Sequence, residues 1–424
     1  MPSCLIVAPY PLDRPKHGGQ VRAATMMSAI QLAGWQVDGL GIYFSGFFPA
    51  SERGPLDIVI EAPELQKSAM ADIVFADFHA ARSAASDRNA IKTLEATIQR
   101  LMPDLIHIEQ PWPWLLLREA LPSRHNIRIV YSSHNIESKA RRPLFHLGMK
   151  NASSEKMLEA TRLLEDELAR TADLVVSISD IEAVELERAS GRPAVYLPPV
   201  SKMGATKRNS SHKRFAQEAR AAGCRYAAIM GSAYWPNVEG FFSIFPEGFG
   251  FLAPGEQIWL AGTMANSVSA DERFQRFLSI NESRTRILGY LDDAETEGFF
   301  SAAKCVVVPV KFGAGAKMKT ADAIASGLPV IATEHAIEGY GPIVKSALNR
   351  GIYVADTPKT FRRLMLNALR EGLPGCSPEV RAQVGLEAMA RTWAHYANGL
   401  IGRSPPRHAI GREVKMMPEI EGNV

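Results

Sequence analysis

Between Pro309 and Tyr340 the chain reads PVKFGAGAKMKTADAIASGLPVIATEHAIEGY. Gly313 and Gly315 follow an apolar run and precede a helical pattern that begins near Ala316, with Lys317 and Lys319 in its first turn. Glycine admits positive φ and close backbone approach, so successive N–H groups in such a loop can converge on an anion. The helix N-terminus behind the loop adds partial positive charge. Two lysines fit that end of a helix poorly unless an anion lies between them, which points to a diphosphate. The spacing matches neither a Walker A loop nor a GxGxxG dinucleotide fingerprint, so group transfer from an activated donor is expected over ATP cleavage or hydride transfer. A GxG loop also occurs without any ligand, and Gly327 before Pro329 could be only a helix stop.

Three other stretches carry groups able to act on a bound anion or hydroxyl. In HGGQVR (17–22), Gly18 and Gly19 can bring backbone close to a ligand, and Arg22 lies in a first helical turn; the same pattern also serves as a plain helix start. In HIEQPW (107–112), strand alternation puts His107 and Glu109 on one face near a carboxyl end. Glu109 could orient a hydroxyl or act as a base, while His107 could equally be a hydrogen-bonded core residue. His134 and Asn135 follow the next strand. Imidazole exchanges protons near neutral pH and an amide bridges polar groups, although Asn135 could simply cap a turn. His107, Glu109 and His134 are metal-capable types, but no ligand spacing links them and no metal is expected.

These groups need a scaffold that gathers strand ends. The 424 residues, 46% apolar and 22% charged, suffice for two domains and exclude a disordered, collagen-like or small disulfide-stapled chain. Short apolar runs at 4–10, 35–43, 71–77, 104–110, 127–134 and 172–179 read as strands. Helical patterns at 21–33, 83–100 and 151–170 separate them. Strands buried on both faces and alternating with helices indicate a parallel sheet. The pattern resets after PAVYLPPVS (193–201) and a polar, basic stretch over 202–213. Beyond a short helix over 213–222 it repeats, with strands at 226–232, 257–263, 285–291, 305–310, 328–334 and 352–358. Helices at 237–244, 293–303 and 316–326 intervene, and helices at 359–371 and 378–400 close the chain.

The expectation is an α/β protein of two doubly wound domains, 1–200 and 201–377. A closing helix in 378–403 could return to the first domain, and 404–424 reads as a tail. Ligands of such sheets bind beyond the strands' carboxyl ends, so the cleft between the domains is the expected site.

The net charge of +3 hides an asymmetry. Residues 1–200 hold 21 Lys and Arg against 24 Asp and Glu, a net of −3; residues 201–424 hold 27 against 21, a net of +6. A basic second half suits an anionic ligand. No basic stripe interleaved with aromatics and no zinc-finger spacing point to nucleic acid. Cys4, Cys224, Cys305 and Cys376 form no CxxC pair and read as thiols of a reducing compartment. No apolar run reaches a membrane-spanning length, and MPSCLIVAPYP reads as a first strand and not as a signal peptide. A cytoplasmic protein is expected. The basic, partly apolar segment 138–150 could touch a membrane surface or a lipid-linked ligand, or fold over the cleft.

The 309–340 segment resembles the donor-binding core of the family 4 glycosyltransferases, retaining enzymes of the GT-B fold. That family commonly shows a Gly-rich loop, a basic residue followed by Lys, Glu-Ala-Met-Ala-x-Gly-x-Pro-Val and a later Glu-Gly. Here the matching residues are Gly313, Gly315, Lys317, Lys319, Asp322-Ala-Ile-Ala-Ser-Gly327-Leu-Pro329-Val330 and Glu338-Gly339. GSAYWPNVEG (231–240), with Gly231 and Asn237, resembles the opening of the donor domain. ADLVVSISDIE (172–182) resembles the end of the first domain, and SSHNIES (132–138) resembles a His-Asn turn on the acceptor side. The resemblance spans about residues 15–400.

The resemblance implies a GT-B enzyme that moves a sugar from a nucleoside-diphosphate sugar to a hydroxyl of a saccharide, glycoconjugate or lipid-linked glycan, with retention and without a metal. Donor contacts are then expected from Gly18, Gly19, Arg22, Gly231, Asn237, Gly313, Gly315, Lys317, Lys319, Asp322, Glu338 and Gly339. Acceptor contacts are expected from His107, Glu109, His134 and Asn135, and catalytic roles from Glu109, His134 and Lys317. The chain departs from the family's pattern in three places: Ala314 and Asp322 stand where a pair of glutamates is common, and Ser232 stands where a basic residue is common. In some relatives a His occupies the position of Glu109. A nucleotide-sugar epimerase and a non-catalytic nucleotide-sugar-binding subunit are the competing readings.

Overall fold

A computed structural model of the chain describes residues 1–61, 73–122, 125–147, 153–203, 210–313 and 315–402. The first sheet holds β1 (Ser3–Ala8), β2 (Gln36–Phe44), β3 (Ile58–Ile60), β4 (Leu105–Glu109), β5 (Arg128–Ser133), β6 (Leu174–Ser177) and β7 (Ala194–Tyr196). Its order is β3-β2-β1-β4-β5-β6-β7, with every neighbouring pair parallel. The second sheet holds β8 (Arg225–Met230), β9 (Glu256–Ala261), β10 (Thr285–Gly289), β11 (Cys305–Val308), β12 (Val330–Ala332) and β13 (Ile352–Val354). It runs β10-β9-β8-β11-β12-β13, again parallel throughout. Helices cover both sheets, giving two Rossmann-like domains that face a central cleft in the GT-B arrangement.

Most strands are apolar runs covered on both faces, whereas the edge strand Thr285–Gly289 stays partly exposed. In β1, Leu5 and Val7 enter one core with Leu40, Ile106 and Tyr131, while Cys4 and Ile6 enter another with Ala23, Met26 and Trp393. The second sheet is likewise sandwiched between two apolar clusters. In each sheet the strand order reverses once, between β1 and β4 and between β8 and β11. Those switch points leave a crevice beyond the carboxyl ends. The segments holding Gly18, Glu109, Gly231 and Gly313 all follow strands that flank one of them.

Several elements depart from the sequence expectation, among them helices Trp114–Ala120, Asp180–Ser190, Thr263–Ala270 and Gly341–Ala347, which it lacked. The segment at 71–77 is no strand: its first two residues lie outside the described set, Ile73–Phe75 form a 3-10 turn, and Ala76–Ser86 is an α-helix. Phe75, Phe78 and Ala81 recur at helical spacing and bury one face. The third strand is the three-residue Ile58–Ile60. The helix expected over 83–100 is two, split at Asp87, whose carboxylate accepts from Asn89 N at 2.9 Å and caps Arg88–Leu101. The closing helix is likewise broken, into Pro378–Gln383 and Leu386–Leu400 around Gly385.

Leu386–Leu400 crosses back and packs on Gly18–Leu32 of the first domain, burying Met389, Trp393 and Ala397. Trp393 meets Trp35 edge to face at 4.9 Å between ring centroids. All four cysteines are unpaired. Among the described residues no helix is long and apolar enough to cross a membrane. The tail at 404–424 and residues 204–209 of the polar stretch before the second domain lie outside the described residues.

Candidate functional site

Helix Met318–Ala325 starts directly after the glycine loop, with Lys317 at its N-cap position. Gly313 and Gly315 have φ of +106° and +67°, conformations that side chains with a Cβ rarely adopt. A Cβ at position 315 would lie 2.1 Å from Asn135 Oδ1 and 3.1 Å from His134 O. The loop of the second domain therefore rests on the His134–Asn135 turn of the first. Ala314 lies outside the described residues.

Lys317 is buried, and its ammonium donates to Gly313 O at 3.0 Å and Gly315 O at 2.5 Å, stitching the loop to the helix start. Lys319 donates to Asn237 Oδ1. Asn237 in turn donates to Ser232 O at 2.9 Å and Ser232 Oγ at 3.1 Å, which ties the loop after β8 to the same lysine. Neither lysine forms an ion pair among the described residues. Burial pushes Lys317 down to about 8, opposed by Glu338 and Glu182. Burial and then the neighbouring Lys317 push Lys319 to about 8 as well. Two crowded, desolvated ammoniums at a helix N-terminus are a charge arrangement that a bound anion would relieve.

Asn237 is held by close packing. Helix Trp235–Ile244 approaches the exit of β11 so nearly that a Cβ on Gly240 would sit 2.1 Å from Pro309 O. Gly231 O accepts from Met264 N at 3.0 Å, and Thr263 Oγ1 accepts from Ala233 N at 2.8 Å, fixing the loop between.

On the first domain, Glu109 is completely buried at the end of β4. Its Oε2 is hydrogen-bonded to His134 Nε2, and its Oε1 lies 3.2 Å from His107 Nε2. Burial opposes the charge, but the imidazoles outweigh it and hold the Glu109 carboxyl well below the usual range. His107 and Glu109 are fully buried and His134 is 5% exposed, so of the three it is the His134 imidazole that keeps some exposed surface. Asn135 Nδ2 donates to Glu137 Oε1 at 3.3 Å. The turn is pinned by Glu182, which accepts from Ile136 N at 3.1 Å, and by Glu165, which accepts from Ser138 N at 3.1 Å.

Gly18 and Gly19 open helix Gly18–Leu32, with Gly19 against the Tyr10 ring. His17 stands at the N-cap with its ring 5.2 Å from Tyr10. Burial lowers its pKa, Glu52 opposes this, and nearby His134 lowers it further, so both imidazoles share this wall.

Two of the expected donor residues also have protein partners. Arg22 is buried, and its guanidinium donates to Leu197 O at 2.8 Å and Pro198 O at 3.0 Å. Asp322 Oδ1 accepts from Ser201 Oγ at 2.6 Å, so half the carboxylate is engaged by the connection between domains. Burial raises the Asp322 carboxyl to about 6 against the Ser201 bond. Glu338 pairs with His335 at 2.8 Å, and Gly339 O accepts from Tyr196 Oη at 2.7 Å across the cleft. Tyr196, Ser201 and His17 carried no sequence signal beyond type.

Among the described residues no three His, Cys, Asp or Glu are grouped to hold a metal ion. The basic residues at 139–142 are paired, Lys139 with Glu185, Arg141 with Glu137 and Asp77, and Arg142 with Glu155. Residues 148–150 of that segment lie outside the described set.

Residues 18–199 match the Glycosyltransferase Family 4 model, and residues 234–371 match the model for Glycosyl transferases group 1. A comparison with curated protein sequences gives no match. Among solved structures, the chain is similar to sucrose-phosphate synthase from Thermosynechococcus elongatus, at 17% identity and TM-score 0.65, covering 95% of this chain and 99% of that one. It is also similar to Anabaena HepE in complex with UDP and glucose, at 12% identity and TM-score 0.62, over 94% and 100% of the two chains. WaaG, a glycosyltransferase involved in lipopolysaccharide biosynthesis, aligns at 15% identity and TM-score 0.53, over 93% and 95%.

Proposed function

We infer the reaction from one premise: the chain belongs to the family 4 glycosyltransferases, enzymes that use a nucleotide sugar. The second domain holds the donor. Lys317, Lys319 and the start of helix Met318–Ala325 neutralise the diphosphate, and Gly313 and Gly315 let backbone approach it. The first domain presents the acceptor hydroxyl from the wall made by Gly18, Gly19, His134 and Asn135. Closure excludes water, and the charge developing on the departing diphosphate falls on the two lysines. In a front-face reaction with retention, the leaving phosphate oxygen takes the acceptor proton as the new glycosidic bond forms, so no separate protein base is required.

The observation that supports this reading is the seating of the Gly315 loop, which Lys317 ties to the helix start, on the His134–Asn135 turn. HepE in its UDP complexes makes UDP-sugars the first donors to try, and WaaG makes a lipid-linked glycan one of the acceptors to include. A second reading, a nucleotide-sugar-binding subunit without transfer, draws on the engagement of Asp322 by Ser201.

The test is thermal stabilisation by a panel of nucleotide sugars, followed by product analysis with saccharide and lipid-linked acceptors. The expected result is a glycosylated product, with turnover lost in a Lys317→Ala, Lys319→Ala double variant. Stabilisation without transfer to any acceptor supports the binding-only reading. Turnover unchanged in the double variant removes the lysines from the mechanism.

A further inference from the structure

The polar chain behind His134 does not stop at Glu109. His107 shares a strand face with Glu109, and its Nε2 lies 3.2 Å from Glu109 Oε1. Both of those atoms are buried and neither completes a hydrogen bond, so the 3.2 Å contact between them is a charge-to-polar approach. At the far side of the ring, His107 Nδ1 lies 3.4 Å from Trp393 Nε1, on the helix that returns from the end of the chain. An indole nitrogen only donates, so His107 Nδ1 must accept. A neutral His107 therefore carries its proton on Nε2, the nitrogen 3.2 Å from Glu109 Oε1. A carboxylate only accepts, so the hydrogen in the contact with His134 belongs to His134 Nε2. Nδ1 is then the ring nitrogen of His134 left for a ligand.

We propose that Trp393 and His107 are positioning residues that fix the Glu109 carboxylate, and through it the ring of His134, so that Nδ1 of His134 is presented to the cleft. Neither touches substrate. Both act on the tautomer and angle of the one imidazole that does. The precedent for such an arrangement is general: a buried carboxylate on one ring nitrogen sets which tautomer the other nitrogen offers. Trp393 gives the last helix a part in the reaction besides covering apolar surface. It is already held by Trp35 at 4.9 Å and by the apolar cluster under β1, so its N–H is aimed by packing.

The kinetic part of this proposal rests on the glycosyl-transfer reading; the spectroscopic part does not. Protein labelled with 15N-histidine, with His107 assigned through a His107→Gln variant, should show the His107 proton on Nε2 in the wild type. In Trp393→Phe, which keeps an aromatic ring but removes the donor, that preference should weaken. A His107 proton on Nδ1 in the wild type overturns the proposal whatever the activity. In transfer assays, Trp393→Phe and His107→Leu should lower kcat roughly 10- to 100-fold, the scale of a misplaced catalytic group, with donor KM within about threefold. His107→Gln, which can accept from Trp393 and donate to Glu109, should recover most of the kcat that His107→Leu loses. A Gln variant no better than Leu, or a kcat per folded molecule unchanged in Trp393→Phe, reduces both residues to core packing. Wild-type protein that transfers to no acceptor while His107 shows the expected tautomer counts against the enzyme reading and leaves the relay standing.

Discussion

Lys317 and Lys319 hold their charge in a place that disfavours it. Each titrates near 10.5 when unburied and at about 8 in the fold. Below pH 8 both folded and unfolded chains are protonated, and the folded state carries the whole penalty. Between about 8 and 10.5 the folded lysines are neutral while the unfolded ones stay charged, so stability of the free protein rises through that window. Anion binding has the opposite sign, because a diphosphate favours the ammonium form and draws protons in. Calorimetry of nucleoside-diphosphate binding at about pH 8.5, in buffers of different ionisation heat, should therefore read net proton uptake, with affinity falling as pH climbs through 8. Binding without proton uptake would put the phosphates elsewhere. Lys319→Met should cost roughly 10²-fold in kcat, the scale of one lost charge-stabilising donor. Lys317→Met should also raise donor KM, since its ammonium stitches Gly313 to Gly315.

The glycine loop and the His134–Asn135 turn act as a matched pair of elements. Gly315→Ala places a methyl group where Asn135 Oδ1 now lies and imposes a positive φ worth about 1–2 kcal/mol on an L-residue. Donor KM should rise about tenfold, and adding Asn135→Ala should restore part of it, a coupling of about 1 kcal/mol in a double-mutant cycle. Strictly additive effects would mean the two elements do not meet in solution. The loop was legible in the sequence because glycines and lysines at a strand-to-helix junction announce themselves by type. Most strands were legible because burial on both faces makes them apolar runs. Ile58–Ile60 was too short to register, and Ile73–Phe75 was misread because a short apolar run fits strand and helix alike. What type and spacing could not show is partner choice. Arg22 with Pro198, Asp322 with Ser201 and His107 with Trp393 are separated by 176, 121 and 286 residues, and only packing decides such pairs.

At the scale of the molecule, the chain passes between domains after β7 and returns through Gly385, and hydrogen bonds from Tyr196 to Gly339 and from Ser201 to Asp322 add to these two covalent crossings. Arg22 bonds the start of the first crossing and also lies against Met389 on the returning helix. Arg22→Met should leave the carbonyls of Leu197 and Pro198 without their charged donor and cost roughly 2–3 kcal/mol in denaturant unfolding. Donor KM should move less than about threefold, since the guanidinium is taken up by the Leu197 and Pro198 carbonyls; a large KM change with stability intact would place Arg22 at the phosphate.

The return of Leu386–Leu400 to the first domain also sets an order in time. A ribosome that has finished the first sheet must add nearly 200 more residues before the helix that covers Ala23, Met26 and Trp35 emerges, a wait of roughly 10–40 s at ordinary elongation rates. Through that interval the nascent first domain shows an apolar face to whatever chaperone attends it. On the proposed relay, His107 still lacks its indole donor as well. The catalytic wall is finished last, by the end of the chain, so an unfinished or truncated copy would be both sticky and inert.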